Sequence, residues 1–417
     1  MSYSLAFQAA GLIDFDQPGR ADFALLLPEL IVAVAAVVVM VADALTRRLG
    51  RRWLTGGLSL AGLGAAAVAC FWLWERAGGS APRTAFGGMI ELDRFRLSFT
   101  LVFLLVAAIT VLLSMIWVEW ERLPAGEFHT LLLFATSGMM LMASGGDLVV
   151  LFLGFEVFSI ATYVMAGFRK TDLRSNESSM KYFILGSFSS AFLLYGIALV
   201  YGATATSSGG TLVAGTTNIR EIALRLDDAA YPALLYAGAA MMLVGFAFKI
   251  GSAPFHVWTP DVYEGAPPPV TAFMAAGPKA AGFAGFMRVF LFAFPFVGPA
   301  AALTQTARLH EAWLGALWIL AVLTMTLGNV VALVQKNVKR MLAYSSVAHA
   351  GYALVGLLAG DWGAVAFYML AYAFMNVGAF AVVATIARRA DRATTLEDYR
   401  GIGFDNMELS VALSVFM

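Results

Sequence analysis

The sequence predicts an all-α polytopic membrane protein, a bundle of about 11–12 transmembrane helices. Three numbers and one pattern carry that reading. Of the 417 residues, 60% are hydrophobic and only 13% are charged, against roughly 45–50% and about 25% in soluble domains. Mean hydropathy is +0.78. The apolar residues also fall into runs of about 20, the length that crosses ~30 Å of hydrocarbon.

The first run, FALLLPELIVAVAAVVVMVADAL (23–45), is too long and too weakly basic in front to be a cleavable signal peptide. Further runs cover 53–75, 96–118, 128–146, 148–168, 181–202, 231–252, 269–293, 312–334, 338–359 and 362–387, and another opens near 407. The loops TRRLGRR, FRKTDLR, QKNVKR and ARRADR follow the first, fifth, ninth and eleventh runs, so parity puts them all on one side. The opposite loops are SGGD, AGDWG and a Gly/Thr/Ser stretch at 202–217. Basic loops stay cytoplasmic, which places the N-terminus outside. No stretch reads as a soluble linker, so 1–417 is one membrane domain. YVMAGF…KYFILGSFSSAF at the fifth and sixth runs is echoed by YALVGL…AFYMLAYAFMN at the tenth and eleventh. That odd offset fits an inverted repeat.

Several function classes drop out. With 27 basic and 27 acidic residues there is no basic footprint, and nucleic acid is not an expected partner. The single cysteine, Cys70, excludes an internal disulfide, and no Cys/His cluster has metal or iron–sulfur spacing. No Gly-rich phosphate loop opens a helix. No cofactor is expected on this chain; the expected surroundings are the lipid bilayer.

A central charge costs ~2.5–3.5 kcal/mol on insertion scales, so each ionisable residue inside a run needs a reason. Glu156 lies roughly 13 Å and 20 Å from the ends of its run. It fits a protonated carboxyl shared between helices or a group on an ion pathway, and its depth favours the second. Lys249 precedes Pro254 by five residues in KIGSAPFHVW. A lysine near a helix end can snorkel. The proline, however, breaks the helix, and broken backbone at membrane depth must be buried in protein or line a cavity. If the helix resumes beyond the break, Lys249 stands near mid-membrane. Lys279 follows Pro278 about ten residues into its run, beyond easy snorkelling, among small residues that let helices approach. Arg288 faces the other way and reads as an anchor or structural ion pair. Lys181 opens the sixth run, where snorkelling and function are equally open. His349, amid the serines of AYSSVAHAGY, fits a proton relay or a satisfied polar contact. Lys339 and Arg340 sit at a loop edge, where charge is ordinary. A buried lysine balanced between burial and a movable partner can load and release protons.

KIGSAPFHVWTPDVYEGAPPPVTAFMAAGPKAAGFAGF (249–286) resembles the signature region of the N-type subunits of respiratory complex I, within the Mrp antiporter-like family. FEVFS (155–159), KYFILGSFSS (181–190), KNVKRMLAYSSVAHAGY (336–352) and LEDYRGIG (396–403) extend the match over most of the chain beyond the first few helices. The sibling L and M types share the P-F-H-x-W-x-P-D frame, whereas VYEGAPPPVTAF and PKAAGF are N-like.

The resemblance implies a proton path. Glu156 resembles the fifth-helix glutamate coupled to a lysine, and Lys249 the lysine of the broken seventh helix. Lys279 resembles the eighth-helix lysine leading to the second half, with His349 on the continuation of the axis. Lys181 resembles a sixth-helix lysine near the Glu156–Lys249 pair. Asp261 and Glu264 are expected to be structural. It further implies N-terminal helices over 1–120 and repeats over 128–293 and 312–417. The neighbours would be K- and M-type membrane subunits, with FMN, iron–sulfur clusters and quinone in partner subunits. Function would be proton translocation coupled to quinone reduction elsewhere in the complex, without redox chemistry on this chain. An Mrp-type cation/proton antiporter is the alternative, and a pure scaffold has no need of mid-membrane charge. The family has about fourteen helices, including a second broken helix, the twelfth, with another central lysine. The sequence reaches ELSVALSVFM where that helix begins, so it reads as C-terminally incomplete and that lysine is not assigned.

Overall fold

The structure is a computed structural model that describes residues 19–46, 53–79, 82–208, 211–229, 231–295, 305–387, 391 and 393–417. The TRRLGRR loop, apart from Thr46, and most of ARRADR therefore lie outside the described residues. The principal helices are α1 (Leu27–Thr46), α2 (Trp53–Trp74), α3 (Arg94–Glu121), α4 (Ala125–Ser144), α5 (Leu148–Ala166) and α6 (Leu173–Ala203). They continue with α7 (Pro232–Ile250), α8 (Pro268–Met287), α9 (Gln305–Leu333), α10 (Val338–Leu358), α11 (Trp362–Ala387) and α12 (Met407–Phe416).

Among the described residues nine helices are long and apolar enough to cross a membrane by length and composition. The two expected spans missing from that set are α4 and α8, both 20 residues long. Their lower hydropathy has a physical reason. Every residue of α8 is buried, because it packs against α3, α4, α5, α7 and α11. A helix sheathed by protein need not be apolar all round.

Caps set most boundaries. The Asp93, Asp147, Asp172 and Asn337 side chains accept from the backbone amides of Arg96, Val149, Arg174 and Lys339, starting α3, α5, α6 and α10. The Asp172 cap corrects one expectation: α6 begins at Leu173, eight residues before Lys181, because a polar first turn adds to the apolar run. Two short antiparallel hairpins, β1–β2 (Arg83–Ala85, Ile90–Leu92) and β3–β4 (Thr206–Ser208, Thr211–Val213), occupy segments read only as loop. Helices α4 and α5 cross with their backbones almost touching. A Cβ on Gly154 would lie 2.5 Å from the Met142 amide nitrogen, so the glycine is sterically required.

One backbone device occurs twice. Leu148 N–H donates to Thr217 O and Ile219 N–H to Gly146 O, bridging the start of α5 to the segment after α6. Val338 N–H donates to Thr394 O and Leu396 N–H to Lys336 O, bridging the start of α10 to the segment after α11. The pattern is the same, five helices on, and the odd offset sets the two bridges on opposite faces. This is the architecture that the sequence echo anticipates.

The seventh helix is broken. α7 closes on Gly251, whose φ of +73° is left-handed, a conformation natural to glycine. A turn follows, and helix resumes over Trp258–Gly265. Thr324 of α9 holds the turn, exchanging a 2.7 Å contact with the Ser252 hydroxyl and accepting from Ala253 N–H at 3.0 Å.

Candidate functional site

Lys249 occupies the last turn of α7 and is 2% exposed. Its Nζ donates to Ser159 Oγ at 2.7 Å and lies 3.5 Å from the Tyr182 hydroxyl. Four rings surround it: Phe158 at 4.4 Å from the centroid, Phe155 at 4.9 Å, Tyr182 at 5.4 Å and Tyr163 at 5.5 Å. Ring faces attract a cation, so dipoles and π-faces hold this ammonium, and no carboxylate among the described residues touches it. Trp258, opening the short helix, fixes the cage wall. It stacks on Tyr182 at 4.6 Å and donates from Nε1 to Phe248 O at 2.9 Å.

Lys279, also 2% exposed, stands midway along the fully buried α8. Its Nζ donates to Ser346 O at 2.6 Å and makes a short contact with Ser346 Oγ on α10. The Tyr372 ring lies 5.8 Å from Nζ and 5.2 Å from the His349 ring, so it stands between the two groups. His349 Nδ1 meets the Tyr368 hydroxyl at 2.6 Å. Each lysine lies close to a glycine of the other's helix. A Cβ on Gly251 would come within 3.9 Å of Lys279 Nζ, and one on Gly282 within 3.6 Å of the Lys249 side-chain stem.

Glu156 lies one turn before Ser159 on α5. Its Oε1 is buried and has no hydrogen-bond partner among the described residues, and no ion pair joins it to Lys249. Thr259 Oγ1, at the break, is likewise buried without a partner.

Lys181 is placed differently. Its side chain is 42% exposed and pairs with Glu177 and Asp261, both at 2.7 Å. The structure thus brings Lys249, Lys279 and His349 into one row with Glu156 beside it, and sets Lys181 at the edge, against the short helix.

One expectation is overturned. Lys339 is not an ordinary loop-edge charge: its side chain is 0% exposed. Nζ donates to Glu264 O and Ala266 O, each at 2.7 Å, and pairs with Asp391 at 3.1 Å. Asp391 also binds Arg169 at 2.9 Å, and Arg169 binds Glu121 at 3.0 Å. A polar cavity of about 660 Å³ opens over this junction, lined in part by Glu121, Arg169, Glu264 and Asp391. Burial alone would raise the Asp391 carboxyl, but Lys339 and Arg169 hold it below the usual aspartate range. Asp261 is depressed in the same way, its cations being Lys181 and Arg340. On the other face Arg288 pairs with Asp93 at 2.6 Å and Glu91 at 3.0 Å, the structural ion pair expected of it. Arg96, fully buried, pairs with Glu29 at 2.6 Å.

Sequence reasoning missed Ser159, Ser346, Tyr182, Tyr372 and the buried Lys339. Helical phase could have found Lys339: it shares a face with Leu342, Ala343 and Ser346, at i, i+3, i+4 and i+7, and all four are buried.

Comparison with known proteins places these features. The family model described as NADH:quinone oxidoreductase/Mrp antiporter, transmembrane, matches residues 145–417. NADH-quinone oxidoreductase subunit N of Trichlorobacter lovleyi is 44% identical over 397 residues, covering 94% of this chain and 76% of that protein. A chain of respiratory complex I from Thermus thermophilus, solved with bound aureothin, superposes with TM-score 0.72 at 34% identity, covering 92% of this chain and 77% of its own. A chain of the membrane-bound sulfane sulfur reductase, an archaeal respiratory membrane complex, gives TM-score 0.79 at 26% identity over 95% and 77%.

Proposed function

This chain belongs to the NADH:quinone oxidoreductase/Mrp antiporter transmembrane family, and on that premise we propose that it is the proton-translocating N-type membrane subunit of an NADH–quinone oxidoreductase. One observation carries the reading: two lysines, each 2% exposed, flank a helix break, and among the described residues no ion pair neutralises either. A scaffold has no use for that cost.

Lys249 takes up or gives its proton within the ring cage, with Ser159 accepting its hydrogen bond and the Glu156 carboxyl providing the movable charge beside it. An ammonium held by hydroxyls and ring faces can lose its proton without stranding a paired carboxylate. Lys279 is the next station, with Ser346 as its acceptor, and Tyr372 and His349 continue the row toward α11. The unpartnered Glu156 Oε1 and Thr259 Oγ1 are the polar atoms around which water would order to join the stations. Lys181 joins the path at its edge through Asp261. The two backbone bridges support a first repeat over 128–293 and a second over 312–417, after N-terminal helices over 1–120. Its neighbours in the assembly would be K- and M-type membrane subunits. FMN, iron–sulfur clusters and quinone would reside in partner subunits, and this chain would do no redox chemistry itself. The basic loops would face the cytoplasm of a bacterium, with the N-terminus periplasmic.

The experiment is to purify the native complex and assay its flux. Flavin- and iron–sulfur-containing partners with NADH-driven vesicle acidification support the proposal. A complex lacking flavin and quinone that moves protons only against sodium selects the antiporter alternative.

A further inference from the structure

The short helix Trp258–Gly265 is clamped at both ends. Its N-terminal residue Trp258 is the stacking wall behind Tyr182, whose hydroxyl lies 3.5 Å from Lys249 Nζ. Ser178 Oγ donates to Val262 O at 2.9 Å, and Lys181 and Arg340 both pair with Asp261 at 2.7 Å. At its C-terminal end the carbonyls of Glu264 and Ala266 receive Lys339 Nζ. A cation suits that site, because a helix C-terminus exposes unsatisfied carbonyls and the negative end of the helix dipole.

The Lys339 side chain is 0% exposed, so its charge needs a fixed partner, and Asp391 supplies it from the segment after α11. Asp391 is held in turn by Arg169 from the segment after α5. The anchors of the short helix thus come from α6 and α10, while the ion pairs that fix Lys339 come from loops at the ends of α5 and α11. Any shift between those loops reaches the carbonyl end of the helix first, and from there Trp258 and the Lys249 cage.

We propose that Lys339, fixed by Asp391 and Arg169, is a positioning residue for Lys249: it pins the short helix and thereby holds Trp258 and Tyr182 against the Lys249 ammonium. The inference rests on Lys249 being a proton station, and it assigns Lys339 no proton of its own to carry. The pin is what lets the second half of the chain act on a lysine in the first.

The test uses the assembled complex in its membrane, with amide hydrogen exchange over residues 258–266 read beside proton translocation per NADH oxidised. Lys339→Met and Asp391→Asn are expected to speed exchange of these amides about tenfold or more, the signature of local opening, and to lower the proton yield. Asp391→Glu, which keeps the charge, restores both. Lys249→Met is expected to lower the yield while leaving exchange over 258–266 as in the unmodified complex. Wild-type exchange in both Lys339→Met and Asp391→Asn overturns the pin. If Lys339→Met does not assemble, Asp391→Asn, which leaves the lysine in place, decides by the same exchange measurement. A Lys249→Met complex that pumps normally removes the proton-station reading instead, and the exchange result still judges the pin.

Discussion

Replacing Lys249 by Met separates a functional charge from a structural one. The substitution removes an ammonium whose insertion at mid-membrane costs ~2.5–3.5 kcal/mol. It also forfeits the charged hydrogen bond to Ser159, ~1.5–3 kcal/mol, and the attraction of the surrounding ring faces, ~2 kcal/mol when desolvated. A thioether among Phe155, Phe158, Tyr163 and Tyr182 returns ~0.3–1.5 kcal/mol through sulfur–ring contacts. These terms cancel to within about 2 kcal/mol, so the fold should tolerate the change. The complex is therefore expected to assemble and melt within about a few degrees of the unmodified protein, while NADH-driven acidification of inverted vesicles falls. Glu156→Gln, which neutralises the adjacent carboxyl, should act in the same direction. Acidification per NADH at the unmodified level, in a complex verified as intact, refutes the role of Lys249. Failure to assemble refutes the energetic argument, since it would make the charge structural.

Two further outcomes follow from the ion pairs. Arg96→Met strands Glu29 in the protein interior, 3% exposed, and breaking a buried pair costs ~3–5 kcal/mol; the protein should accumulate poorly in membranes, and adding Glu29→Leu should recover most of the loss, read by quantitative blotting and thermal melting. Asp93, Asp261 and Asp391 are buried enough to be raised, but their cationic neighbours reverse the sign and depress all three. A depressed carboxyl contributes stability above its unfolded value of ~3.9 and loses it as pH falls through the folded value. The solubilised protein should therefore weaken as pH drops below about 4, and Asp391→Asn should flatten part of that slope in a melting series.

Part of the site was legible because membrane burial makes charge conspicuous. Glu156, Lys249 and Lys279 stood out as ionisable residues too deep in apolar runs to reach water, and the proline after Lys249 flagged the break. Their partners were not legible. Ser159 and Ser346 are small polar residues of a kind scattered through many helices here, and only the side-chain contacts from α7 to α5 and from α8 to α10 show which ones receive a lysine. The apolar run opens at Lys181 rather than at Leu173, because the polar turn between them carries no apolar signal. Lys339 adjoins a polar loop in the sequence, and nothing local shows that a short helix from elsewhere in the chain closes over it.

The sequence by itself determined that this chain is a membrane bundle, roughly where each helix runs, and that a proline-broken helix carries a lysine. Those properties depend on apolar length and local backbone chemistry, which are written in consecutive residues. Only the packed fold shows that Lys249 rests in a ring cage, that Lys279 reaches Ser346 beside Gly251, and that Lys339 is sealed against Asp391. Such contacts join residues tens to hundreds of positions apart, and they exist only once the helices have packed.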